Sequence, residues 1–277
     1  MFPSAFLFIK KKWKMRLFKP TPHMIHKKKP LFRCRKAFIA ILSVVLAFFL
    51  CVLAYFYFYL PHQTHHASIL WHLISQRCVK HPNHKPCLTY NGKEGYVLFK
   101  DMYGKAQVLL LPTKRLYGVE SPALNQKETP NYFKIAWENR GIVSQLMHQK
   151  IPDELLSLSI NSRFGRSQNQ LHIHMSCLKK DVADKIHALN PKNLPEEISL
   201  LGNPYKIILA ATLDPSPFRL LSGKEHLNSE RMAKKTLIVT QAPEGKFYLL
   251  TGETDLLHLD WGSAEELQDH DCKSIHP

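Results

Sequence analysis

No aspartate or glutamate occurs among the first 36 residues, and neither a charge nor a proline occurs in residues 37–60. The first absence locates the charge of the chain. Those 36 residues hold 12 Lys and Arg and the remainder holds 26 against 22 acids, so the formal charge of +16 falls to +4 beyond Lys36. A uniformly basic nucleic-acid-binding domain is excluded, and the tail is expected to be a solvated flank facing lipid headgroups, with no nucleic acid as partner. The second absence excludes a surface helix or a linker. Roughly 20 apolar residues cross a bilayer core as a helix, and AFIAILSVVLAFFLCVLAYFYFYL is longer than that.

A cleaved secretory leader is the competing reading of this run. Such a leader has an apolar region of about 7–15 residues closing on small side chains, whereas this one is longer and closes on the aromatics of residues 55–59 and Pro61. A retained anchor is therefore expected, with its aromatic end at a membrane interface. The preceding KKKPLFRCRK keeps the amino terminus in the cytoplasm and puts the rest outside.

Cysteine is scarce and concentrated. Cys34 and Cys51 belong to the flank and the span, leaving Cys78, Cys87, Cys177 and Cys272, which allow three full pairings. An outside compartment favours disulfides. Cys78 with Cys87 would close a short loop, CVKHPNHKPC, and Cys177 with Cys272 would tie a central strand to the carboxyl end. The spacing of Cys78, His81, His84 and Cys87 leaves a zinc site open as the alternative.

Internal repeats are absent, and so is any low-complexity linker beyond residue 70, which excludes a solenoid and a string of domains. The expectation is a basic tail (1–36), a membrane helix (37–60), a juxtamembrane stretch with the cysteine loop (61–90) and one α+β domain (91–277). Residues 95–100 and 106–111 predict a hairpin stopped by Pro112. Phe133, Trp137, Val143 and Met147 recur at near-helical spacing over 131–149, where Gly141 weakens the helix without ending it. A strand at 155–160, a turn at 161–165 and a second strand directly after it predict an antiparallel pair. A short helix at 180–189 follows, then strands at 206–212, 236–240 and 247–251.

The second strand of that pair carries the chemistry. In GRSQNQLHIHMSC, Leu171, Ile173 and Met175 alternate with His172, His174 and Ser176, so an extended chain sends the first three to a core and the others to the opposite face. Two imidazoles on one strand face can share a metal, but no HExxH and no neighbouring carboxylate completes a shell. A two-histidine phosphodiesterase needs a pair of HxS/T motifs, and His174-Met-Ser176 is one. A purely structural pair beside a Gly/Ser turn is unusual packing.

The order of residues resembles the histidine triad superfamily: an Asn closing one strand (Asn161), G-x-S in the turn (Gly165, Ser167) and alternating histidines on the next (His172, His174). Gln170 stands where the first histidine of the triad belongs. The segments GYVLFKDMYGKAQVLLLPTKRLYGVESPAL, TPNYFKIAWENR, INSRFGRSQNQLHIHMSCLKKDV and SAEELQDHDC, behind an amino-terminal anchor, are similar to the CDP-diacylglycerol pyrophosphatase family, membrane-bound members of that superfamily.

The resemblance implies a HIT-like antiparallel sheet with helices behind one transmembrane helix, in a bacterial inner membrane with a periplasmic catalytic domain. It implies hydrolysis of the lipid CDP-diacylglycerol to CMP and phosphatidate. His172 would be the nucleophile, with its other nitrogen held by a backbone carbonyl, and His174 the acid. Asn161, Gly165, Ser167 and Gln170 would contact substrate. No cofactor is expected beyond a divalent cation riding on the substrate's diphosphate.

Overall fold

The computed structural model describes residues 31–54, 67–225 and 227–275. The chain divides into two units, residues 1–56 and 57–277. In the first, helix α1 (Leu31–Ala54) contains a segment, Lys36–Ala54, long and apolar enough to cross a membrane. Its large apolar side chains, such as Phe38, Leu42 and Phe48, are exposed on every side, a pattern that water does not tolerate and hydrocarbon does. The tail before Leu31, the aromatic end at 55–59 and the His-rich stretch to residue 66 lie outside the described residues.

The second unit is built on a sheet of ten strands. They are β1 (Thr89–Asn91), β2 (Tyr96–Lys100), β3 (Val108–Pro112), β4 (Leu156–Ile160), β5 (Ile173–Leu178), β6 (Glu197–Leu200), β7 (Asn203–Ala210), β8 (Lys235–Gln241), β9 (Phe247–Glu253) and β10 (Gln268–Asp269). Their order is β1-β2-β3-β5-β4-β8-β9-β7-β6, every pairing is antiparallel, and β10 pairs the end of β5 that β3 does not reach. The class is therefore α+β with an antiparallel sheet. The expected β4–β5 pair forms, with Ser159 opposite His174.

β3 reads as a continuous apolar run because it is covered on both faces. Val108 and Leu110 join Phe133, Ala136 and Trp137 on one side, from helix α3 (Tyr132–Glu138). Leu109 and Leu111 join Leu70, Ile74 and Cys78 on the other, from helix α2 (Ile69–Leu73) and the π-helical turn Ile74–Val79. The stretch expected as juxtamembrane thus supplies core to the sheet. Cys78–Cys87 and Cys177–Cys272 are both bridged. The first excludes the zinc alternative in this state, and His84 is taken up otherwise, its Nδ1 2.7 Å from the Cys78 carbonyl and its ring stacked on Tyr90.

Two local expectations change. The helix expected over 131–149 is two, α3 and α4 (Gly141–Met147). Asn139 Nδ2 donates to the Ile135 carbonyl and Arg140 Nη1 to that of Trp137, so side chains consume the last carbonyls of α3 and end it. The histidine strand does not follow the turn at once, because residues 161–172 are an irregular segment whose backbone N–H groups bond elsewhere. Ser162 donates to Gly262, Arg163 to Ala233, Asn169 to Ala67 and Leu171 to Leu116.

Candidate active site

Leu171, Ile173 and Met175 are buried in the main core, while His172 and His174 line a cavity of about 710 Å³ on the other face. The alternation does what the sequence pattern requires. His174 lies opposite Leu109 of β3, so it shares the face covered by α2, and Gln107, two residues earlier, reaches its ring. The two rings sit edge to face, 4.8 Å between centroids.

His172 Nδ1 is 2.7 Å from the backbone carbonyl of Gln170. A carbonyl only accepts, so Nδ1 carries the proton and Nε2 keeps its lone pair. Burial, chiefly, and the neighbouring His174 then pull the His172 pKa down to about 4, against a smaller upward effect of the carbonyl bond. The residue is 7% exposed and its ring neutral at physiological pH. This is a positioned, unprotonated nitrogen facing a cavity.

His174 is arranged differently. Its Nε2 lies 3.0 Å from Glu265 Oε2, within ion-pair distance though off the line of a good hydrogen bond. Its Nδ1 is 2.6 Å from Gln107 Nε2. Burial pushes the Glu265 carboxyl up, but the contact with His174 and the nearby His172 and His270 outweigh it, and the net pKa falls to about 2. Glu265 is a fixed negative charge beside the His174 ring.

Asn161 and Ser167 also line the cavity. Asn161 Oδ1 accepts the Glu265 N–H at 3.1 Å, which orients the amide and leaves its NH₂ as donor. Gly165 and Gln170 are not among the residues that line the cavity. Gly165 is outside the cavity wall: its N–H and that of Phe164 donate to Ser162 Oγ, each at 3.0 Å. A Cβ there would come within 2.9 Å of the Trp261 and Gly262 carbonyls, so this glycine serves close packing. Gln170 is turned from the cavity as well, donating through Nε2 to the Pro112 and Lys114 carbonyls at 3.1 and 2.9 Å. It staples the site to the end of β3.

Glu265, His270 and Gln107 join the cavity although sequence reasoning assigned them no role. Gln107 left a trace, an amide in the otherwise apolar run expected as a strand over 106–111. Arg166, inside the G-x-S turn, is not a free cation for phosphate, because Nη1 and Nη2 bond both Glu120 oxygens at 2.6 Å. Among the described residues no three His, Cys, Asp or Glu side chains group as a metal shell.

A family model described as CDP-diacylglycerol pyrophosphatase matches residues 65–276. A CDP-diacylglycerol pyrophosphatase of Yersinia pestis is 38% identical over 220 residues, spanning 76% of this chain and 85% of that protein.

Proposed function

The chain belongs to the CDP-diacylglycerol pyrophosphatase family, and from that premise we propose that it hydrolyses CDP-diacylglycerol to CMP and phosphatidate through a covalent intermediate on His172. The observation that carries the mechanism is the bond from His172 Nδ1 to the Gln170 carbonyl. With that nitrogen fixed as donor, Nε2 attacks the phosphorus next to cytidine. A nitrogen–phosphorus bond forms as the bridging P–O bond breaks.

His174 gives a proton to the departing phosphatidate oxygen, with the Glu265 carboxylate 3.0 Å from its Nε2. Asn161 and Ser167 donate to the nonbridging oxygens, where charge builds. Water, deprotonated by His174, then cleaves the nucleotidyl–histidine bond, releasing CMP and restoring both imidazoles. The order Asn161, Gly165, Ser167, His172, His174 on an antiparallel sheet supports a histidine-triad-like fold, in which Gly165 packs the turn.

No resident metal is required, so turnover in excess EDTA is expected to persist. On this reading the domain lies in the periplasm of a bacterium, behind an inner-membrane anchor, a placement that the charge asymmetry and the disulfides support. The test of the chemistry is turnover in water enriched in heavy oxygen, with the new oxygen expected on CMP and none on phosphatidate. Label found mainly in phosphatidate would mean direct attack on the lipid-side phosphorus and remove the covalent step.

A further inference from the structure

The cavity that holds the histidines has two kinds of wall. Besides the polar groups around the imidazoles, its lining includes the apolar side chains of Ile69, Leu73, Phe99 and Met102, with Asp101 and Tyr103 flanking Met102. This second wall is not a closed core, since Met102 is 84% exposed and Ile69 44%. Exposed together on one cavity, Met102 and Ile69 present apolar surface that the packing of the fold does not use. A volume of about 710 Å³ is that of a site for a single drug-sized ligand. It suits a nucleoside diphosphate, and two long acyl chains must leave across the rim.

We propose that the lip formed by Ile69, Leu73, Phe99 and Met102 seats the glycerol-proximal part of the acyl chains and selects lipid-linked over soluble cytidine diphosphates. The proposal rests on the substrate reading above and adds where its lipid end lies. Isoleucine, leucine and methionine offer no hydrogen bond to a cytosine edge, whereas they match an alkyl chain along its length. The lip is also coupled to the catalytic segment. The Leu70 N–H donates to Gln168 Oε1 at 3.0 Å and the Asn169 N–H to the Ala67 carbonyl at 2.6 Å, which ties α2 to the residues just before His172. A chain bound on the lip therefore holds the diphosphate in line with that histidine.

The experiment uses the full-length protein in mixed micelles at one detergent ratio. The substrates are CDP-diacylglycerols of increasing acyl length and CDP-glycerol, which carries the same nucleotide diphosphate without chains. In Met102→Asp and Ile69→Asp the ratio of kcat/KM for the long-chain lipid over CDP-glycerol is expected to fall roughly tenfold or more, the loss when about two methylenes give up apolar contact. Met102→Leu should keep the ratio, and thermal melting checks that each variant folds. Equal losses on both substrates would put the nucleotide on this lip and overturn the proposal, as would an unchanged ratio. A wild-type protein that hydrolyses CDP-glycerol but not CDP-diacylglycerol would instead overturn the substrate reading, and the lip with it.

Discussion

His172 Nδ1–H is held by a backbone oxygen rather than a side chain, so the tautomer needed for attack survives any substitution at position 170. Its pKa, brought to about 4 mainly by burial, sets two pH effects. The acid limb of kcat/KM, which reports the free enzyme, is expected near pH 4 instead of the ordinary histidine value near 6.5. A limb near 6.5 would mean that another group carries the essential lone pair. Stability follows the same shift: the unfolded chain binds this proton below about pH 6.5 and the folded one only near 4, so stability is lost as pH falls through that window, by roughly 3 kcal/mol at its end. Turnover should vanish in His172→Ala and fall roughly 10²- to 10⁴-fold in His174→Ala, the usual reach of one acid. Glu265→Gln should lie between the latter and the wild type. The two histidines were legible from the alternation of residues 171–176, and Asn161 and Ser167 through the resemblance, which reads them within the same 14 residues. Glu265 and His270 were not, because nothing in local sequence shows that β10 returns beside β5.

The irregular segment 161–172 places three of the four legible residues between β4 and β5, so its anchors matter more than strand pairing. One anchor is the bidentate pair of Arg166 with Glu120, in which the Arg166 side chain is almost fully buried. Removing one partner of such a pair leaves a buried charge alone, and Glu120→Ala is expected to cost about 3–5 kcal/mol. The other anchor is Gln170. Gln170→Leu leaves the Pro112 and Lys114 carbonyls without their donor, at about 1–3 kcal/mol for a buried group. Surviving protein should turn over within a few-fold of wild type, because the carbonyl that orients His172 is unchanged. Loss of kcat with an unaltered melting temperature would return Gln170 to a substrate contact. Resemblance assigned Gln170 by its position in a pattern, but side-chain direction was decided by which carbonyls the end of β3 leaves open. The same physics limits the elements: β2, β4 and β7–β9 announce themselves by apolar runs, whereas β1, β6 and β10 are two to four residues long and carry no period. The break between α3 and α4 comes from side-chain capping that periodicity does not register.

Across the whole chain, two independent features support the proposal that the second unit lies on the outer side of a membrane. The charge asymmetry around Lys36–Ala54 is one, with 12 basic and no acidic residues up to Lys36. The two disulfides are the other, since such bridges persist in oxidising compartments. The charge asymmetry was readable from composition alone, whereas spacing left three pairings of the four cysteines open and the return of β10 beside β5 decides between them. The bridge between Cys177 and Cys272 spans 95 residues and joins β5, which carries His174, to the segment following β10. Closing a loop of about 100 residues is worth about 4.7 kcal/mol in the chain-entropy model, close to the whole stability of many domains. Protein confined to the cytoplasm is therefore expected to hold free thiols at both positions and to melt well below protein from the periplasm. Oxidation of the purified cytoplasmic form should recover the difference together with CMP release. Equal melting temperatures for the oxidised and reduced forms would mean that the β5–β10 pairing is held without the bridge. In that case Cys177→Ala with Cys272→Ala should leave kcat intact in either compartment.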